Sequence, residues 1–226
     1  STAIVKGTIH KVQEYSSYSV KHYENGNIEK TDNYYTLFDL EIEKIFYSED
    51  ESISVGKTIT ILTLVNSHTF YIDYQYPIKD SQCIVFFNNY DVFKKYPELN
   101  EDFNKGEDQS KSRYGKNYTP YGVNGQWASL IPLNDEGYIF HDKLIYLLSE
   151  NTQLLYAPKP EEFEGLGLIP YYGNYCVRND EDFEDDLMNF INNAMENPPS
   201  PEKMKNADII SLTKYNKLVE KNKDEE

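Results

Sequence analysis

The sequence predicts a mainly β fold with a C-terminal α-helical extension. Two observations carry this. From Ala3 to about residue 148, short apolar runs rich in Val, Ile, Thr, Phe and Tyr alternate with turn residues. Beyond about residue 150 a Pro-, Gly- and Tyr-rich stretch gives way to apolar residues at helical spacing. We therefore divide the chain into a β domain, 1–150, and a coil and two-helix extension, 151–226, packed on it.

Ala3–Val12 alternates, with Val5, Gly7, Ile9 and Lys11 expected on one face and Ile4, Lys6, Thr8, His10 and Val12 on the other. Gly7 inside such a run marks a bulge or sharp bend. The polar, aromatic run 15–23 extends this strand, and Asn25-Gly26 is the signal for a tight hairpin turn. Tyr34–Phe46 is the clearest strand. Phe38, Leu40, Ile42 and Thr36 face the core, and Asp39, Glu41 and Glu43 face water. A strand at Thr58–Val65 follows an acidic turn. Gln82–Phe87 is continuously apolar, as in a strand buried on both faces. A long polar insertion spans about 88–116, a length that marks functional or mobile loops. Gln126–Leu133 and Gly137–Phe140 read as strands joined by a turn at Asn134–Gly137, and His141–Leu148 as a strand or short helix.

In the extension, 154–175 reads as ordered coil. Asp180–Met195 is an amphipathic helix with Phe183, Leu187, Phe190, Ile191 and Ala194 on one side. Its first turn holds Asp180, Glu181, Asp182 and Glu184, which suits the positive end of the helix dipole. Residues 197–201 break it, and 202–222 form a second helix.

Composition limits function. The 226 residues carry 22 Lys and Arg against 38 Asp and Glu, a net charge of -16, which repels phosphate backbones and excludes nucleic acid as a partner. No run approaches the roughly 18 apolar residues of a membrane helix. The chain starts at Ser1 without a visible leader, which suggests a trimmed or mature form whose missing residues would hold a signal.

Five segments in order carry a resemblance: Ile4–Ile9 (IVKGTI), Tyr35–Ile45 (YTLFDLEIEKI), Val55–Ile61 (VGKTITI), Cys83–Asn88 (CIVFFN) and Tyr118–Gly125 (YTPYGVNG) running into 128–146. This order resembles the OB-like β-barrel proteins of Gram-positive bacterial surfaces, often lipoproteins and mostly without an assigned function. The resemblance covers about 3–148. It implies an OB-like barrel of five or six strands, closed or partly open, and an extracytoplasmic location, with a lipid anchor upstream of this chain. The chain departs from the pattern in its 88–116 insertion, in Asn124-Gly125-Gln126-Trp127 where the family has Gln-Gly-x-Phe, and in its helical end.

Candidate chemistry is sparse. His10, His22, His68 and His141 form no metal-ligand spacing, so no metal or cofactor is expected. Cys83 and Cys176 either pair in a disulfide that tethers the extension to the barrel or remain two buried thiols. A Cys-His nucleophile is the weaker reading, because a thiol in an apolar strand is inert. Asp39, Glu41 and Glu43 stand roughly 6–7 Å apart along one strand face. That spacing suits a glycosidase pair, but equally a solvated face. The acidic run 179–186 lacks the glycine of a calcium loop and reads as a helix start.

Aromatics in loop-like segments are the most informative feature: Tyr71, Tyr74 and Tyr76; Tyr114, Tyr118, Tyr121 and Trp127; Tyr171, Tyr172 and Tyr175. Tyrosines on a barrel rim offer flat apolar faces with a polar tip. The plainer reading is that they pack loops on the barrel. The expected ligand surface combines the 66–79 and 114–127 loops with 171–175. Tyr118, Tyr121 and Trp127 would stack, Asn124 and Gln126 would hydrogen-bond, and Tyr171 and Tyr172 would complete it. The expected function is a monomeric, non-enzymatic surface binding module for a glycan or protein. The alternatives are a wall glycan or peptide hydrolase using the 39–43 carboxylates, and an assembly protein docking a basic partner on its acidic C-terminal helices.

Overall fold

The computed structural model describes residues 1–65, 75–90, 119–123, 130–141, 144, 148 and 175–198, with backbone alone for 17–21, 31 and 33. Its strands are β1 (Ala3–His22), β2 (Ile28–Ser48), β3 (Thr58–Thr63), β4 (Gln82–Asn89), β5 (Tyr121–Val123), β6 (Leu130–Pro132), β7 (Tyr138–His141) and β8 (Tyr175–Arg178). The helix α1 (Asp180–Glu196) follows β8.

The first five strands close in the order β1-β2-β3-β5-β4, with β4 returning to β1. β3 and β5 pair in parallel through Ile61 and Leu62, and the other pairings of the barrel are antiparallel. A five-stranded closed barrel with this order is OB-like, and closure removes the sheet edges. β6 extends the sheet along β4, from Cys83 to Val85.

Closing so few strands demands strong curvature, and β1 supplies it with register shifts against β2 at Ile4/Val5, Lys6/Gly7 and Ile9/Lys11. Gly7 lies at the second shift. A Cβ there would overlap the carbonyl oxygen of Glu41, so only glycine lets the two strands approach. The third shift corrects the alternation expected from the sequence. His10 is the extra residue, so Val12 packs on the interior while Lys11 pairs with Asp39 on the outer face. β1 and β2 continue as a two-stranded ribbon to His22 and Ile28, capped by a tight turn with Gly26 at φ 81°.

Two apolar clusters share β4. Val5, Ile9, Phe38, Leu40, Ile42, Ile61, Cys83, Val85 and Phe87 fill the barrel. Ile84, on the other face of β4, joins Ile131, Tyr138, Phe140, Cys176, Phe183, Leu187 and Ile191 in a second layer outside it. β4 is thus buried on both faces, as its continuous apolar run implies. The disulfide expectation fails here. Cys83 points into the barrel, Cys176 packs in the outer layer, and both are buried thiols with no disulfide between them. β8 replaces expected coil at its start, and pairs antiparallel with β7.

α1 begins where its sequence says it should. The Asn179 side chain accepts from the Glu181 backbone N–H at 3.1 Å, and three acids follow in the first turn. Phe183, Leu187 and Ile191 bury its apolar stripe. The second helix expected over 202–222 and most of the 88–116 insertion lie outside the described residues.

Candidate functional site

The outer face of β1, β2 and β3 carries a groove with a cavity volume of about 500 Å³. That falls within the roughly 300–1,000 Å³ of small-molecule sites. Its floor is built from cross-strand rungs. Lys11 pairs with Asp39, Gln13 with Leu37, and Asp39 in turn with Thr60 of β3. Thr119, Pro120 and Tyr121, entering β5, form the far wall, and Lys57 and Thr58 close the end at the start of β3. The position follows from the barrel. OB-type barrels take ligands on the face of strands 2 and 3, between the loop joining strands 1 and 2 and the loop joining strands 4 and 5. Here those two connections are the long β1–β2 ribbon and the 88–116 insertion, whose far side re-enters the described chain at Thr119.

The groove is held by its own hydrogen bonds. Thr60 Oγ1 donates to Asp39 Oδ1 at 2.6 Å, and Thr119 Oγ1 donates to the Thr60 carbonyl at 2.6 Å. Lys57 Nζ donates to the Ser52 carbonyl at 2.7 Å, a neutral acceptor that leaves its charge uncompensated. Gln13 accepts from the Tyr15 hydroxyl at 2.8 Å. Tyr15 is the next rung of the same face and stacks on Tyr35, with ring centroids 5.5 Å apart at 19°.

Asp50 anchors the wall. It accepts from Asn89 Nδ2 and, at 3.3 Å, from the Tyr121 hydroxyl, while the Ser52 N–H donates at 2.8 Å. Partial burial opposes its ionisation, but the Ser52, Asn89 and Tyr121 hydrogen bonds outweigh it and hold its carboxyl below the usual carboxylate range. The Tyr121 ring stands edge-on to Phe87 at 5.6 Å. Tyr121 is therefore fixed from both ends in β5, not carried on a loop as its sequence context suggested.

The carboxylates of the β2 face are each engaged. Asp39 is held by Thr60, Glu41 by His10 Nε2 at 2.6 Å, and Glu43 by Thr8 at 2.5 Å and Gln82 at 2.9 Å. A second polar cluster lies under α1. Glu184 accepts from Lys6 at 2.9 Å, Lys44 at 2.6 Å and the Tyr138 hydroxyl at 2.8 Å. Burial works against its charge, yet Lys44, Lys6 and Tyr138 pull its carboxyl below the ordinary range. Burial and the Glu184 hydrogen bond push the Tyr138 hydroxyl far up, so it stays a donor. Arg178 Nε meets Asp186 at 3.0 Å beside it. These groups join the helix to the strands beneath it.

Of the expected ligand residues, Tyr121 lines the groove. Tyr118, Asn124, Gln126, Trp127, Tyr171 and Tyr172 lie outside the described residues. Tyr118 immediately precedes Thr119 of the groove wall, whereas β8, three residues after Tyr172, belongs to the layer over β4. The sequence singles out Asp39 as one of three acids on a strand face, but does not join it to Lys11 or Tyr15, because strict alternation puts Lys11 on the face of Val5 and Ile9. Among the described residues no helix is long and apolar enough to cross a membrane. No known protein family, no curated protein and no solved structure matches the chain. Function therefore rests on the geometry of this groove.

Proposed function

We propose that the chain is a non-enzymatic, extracytoplasmic binding module of a Gram-positive cell surface, which takes its ligand on the outer face of β1, β2 and β3. The observation that supports it is the groove, placed where OB-type barrels bind and walled by the Tyr121 segment. The five motif segments support the surface-lipoprotein assignment, and a lipid anchor on residues ahead of Ser1 would hold the module there. The hydrolase alternative draws less support, since Asp39, Glu41 and Glu43 are each tied to a neighbouring side chain. The assembly alternative loses two of its acids, because Glu184 and Asp186 turn inward.

The test is retention. Immobilised protein is incubated with solubilised wall polymers and envelope proteins, beside a Lys11→Glu/Asp39→Lys variant whose far-ultraviolet dichroism is unchanged. Selective retention by the wild type supports the reading, and equal retention by both overturns the groove as the site. Mass spectrometry of the native N-terminus tests the compartment. A lipidated Cys in the membrane fraction is expected, and a Met-initiated cytosolic chain overturns it.

A further inference from the structure

We infer that the groove is built for a saccharide bearing a single acidic group, read by Lys11 and Asp39 with Tyr15 as a stacking platform. This deepens the reading above and rests on it. The protein carries a net charge of -16, yet the groove holds two lysines against one carboxylate. Lys57 is bound to a neutral carbonyl, and exposed Lys11 has no ion-pair partner among the described residues. A local excess of positive charge in so acidic a molecule selects for a negative group at that point.

The acid beside it has the opposite use. Thr60 fixes Asp39 through Oδ1, and Oδ2 has no hydrogen-bond partner among the described residues. An ionised carboxylate is an acceptor only, so what it takes is a donor such as a sugar hydroxyl. Two rungs from Lys11, the half-buried Tyr15 ring lies stacked on Tyr35 and is held by Gln13. By strand rise Lys11 and Tyr15 stand about 13 Å apart along β1. A ligand that spans them needs an anion at one end, hydroxyls near it and a flat apolar face at the other. A short acidic sugar chain has all three. A polymer with a charge on every unit does not suit the surrounding field, which repels dense negative charge.

The probes are a glucuronate-containing tetrasaccharide, neutral chitotetraose and a glycerol-phosphate oligomer, titrated into the full chain by calorimetry and amide chemical-shift mapping. The glucuronate sugar is expected to bind and to shift the amides of Lys11, Asp39, Thr60 and Tyr15. Lys11→Gln should weaken it by about tenfold, the effect of losing one charge-assisted hydrogen bond. The same variant should change chitotetraose binding by no more than about twofold. Tyr15→Ala should weaken both sugars, and added salt only the acidic one. Equal binding of the two sugars, or equal loss in Lys11→Gln, overturns the acidic preference and leaves the groove as a site. Tighter binding of the phosphate oligomer also overturns it. If no probe binds while the retention experiment still distinguishes the charge-swapped variant, the ligand class is wrong and the binding-module reading stands.

Discussion

The two faces of β4 are buried by different means. Inward, Cys83, Val85 and Phe87 meet an interior of aliphatic and aromatic side chains, closed by backbone pairing on every side. Outward, Ile84 meets a layer in which Phe183, Leu187 and Ile191 are interleaved with charge: Glu184 on Lys6 and Lys44, and Asp186 on Arg178. The interior is specified by shape and strand order. The outer layer is specified by a helix that must find one place on a barrel surface. Non-directional apolar burial alone leaves such a helix free to slide, and three donors converging on one carboxylate fix its position.

The largest expected effects separate these layers. Phe38→Ala removes a fully buried ring from the interior and should cost about 3–5 kcal/mol. Hydrogen exchange should then rise across β1 to β5 together. Phe183→Ala removes a ring that touches Tyr138 and Phe140, with centroids at 5.1 and 5.0 Å. Its cost is of the same order, but exchange should rise in α1, β7 and β8 while the barrel strands keep their protection. Uniform loss in both variants would show the two layers to be one cooperative unit.

A smaller effect tests the ionic part. Glu184→Ala strands Lys6, Lys44 and the Tyr138 hydroxyl, and should cost about 3 kcal/mol, the low end for breaking a buried pair because Lys44 is half exposed. Glu184→Gln should cost less, since an amide oxygen still accepts. The sign with pH follows from the lowered carboxyl. The unfolded chain takes up the proton first, so the stabilisation is complete above the unfolded value of about 4.3. It is lost as pH falls through the lower folded value. Asp50, also lowered, acts in the same direction at the groove wall. Acid titration of the wild type should release α1 before the barrel unfolds, and Glu184→Gln should flatten that step. An unchanged acid transition in the variant would place the contribution elsewhere.

The barrel was legible in the sequence because each strand meets a sharp boundary between interior and water. Phe38, Leu40 and Ile42 alternate for that reason, and continuous 82–87 shows that β4 has no wet face. Gly7 gave away a bend. What one chain's pattern does not carry is the parity change at His10, since a bulge is visible only against the strand it pairs with. That single residue moves Lys11 off the face it would share with Val5 and Ile9 and onto the groove floor. β5 and β8, at three and four residues, are too short for a periodic signal. In the sequence Glu184 reads as a helix-dipole charge, yet it falls within the stripe of Phe183, Leu187 and Ile191, and a charge inside an apolar stripe signals a buried partner.

The smallest effect concerns the two thiols, and it checks that the layers are separate. Cys83 and Cys176 belong to different sides of β4, so no side-chain rotation brings them together, in an oxidising compartment or a reducing one. Burial pushes the Cys83 thiol well above its usual value and removes the thiolate that exchange chemistry needs. Native protein purified without reductant should therefore react with neither thiol toward Ellman's reagent. Denaturant should then release both thiols of the chain, and the thermal midpoint should be the same with and without reductant. A denatured chain that shows no thiol would mean that the cysteines had paired. That pairing would require β4 to give up one of its two buried faces.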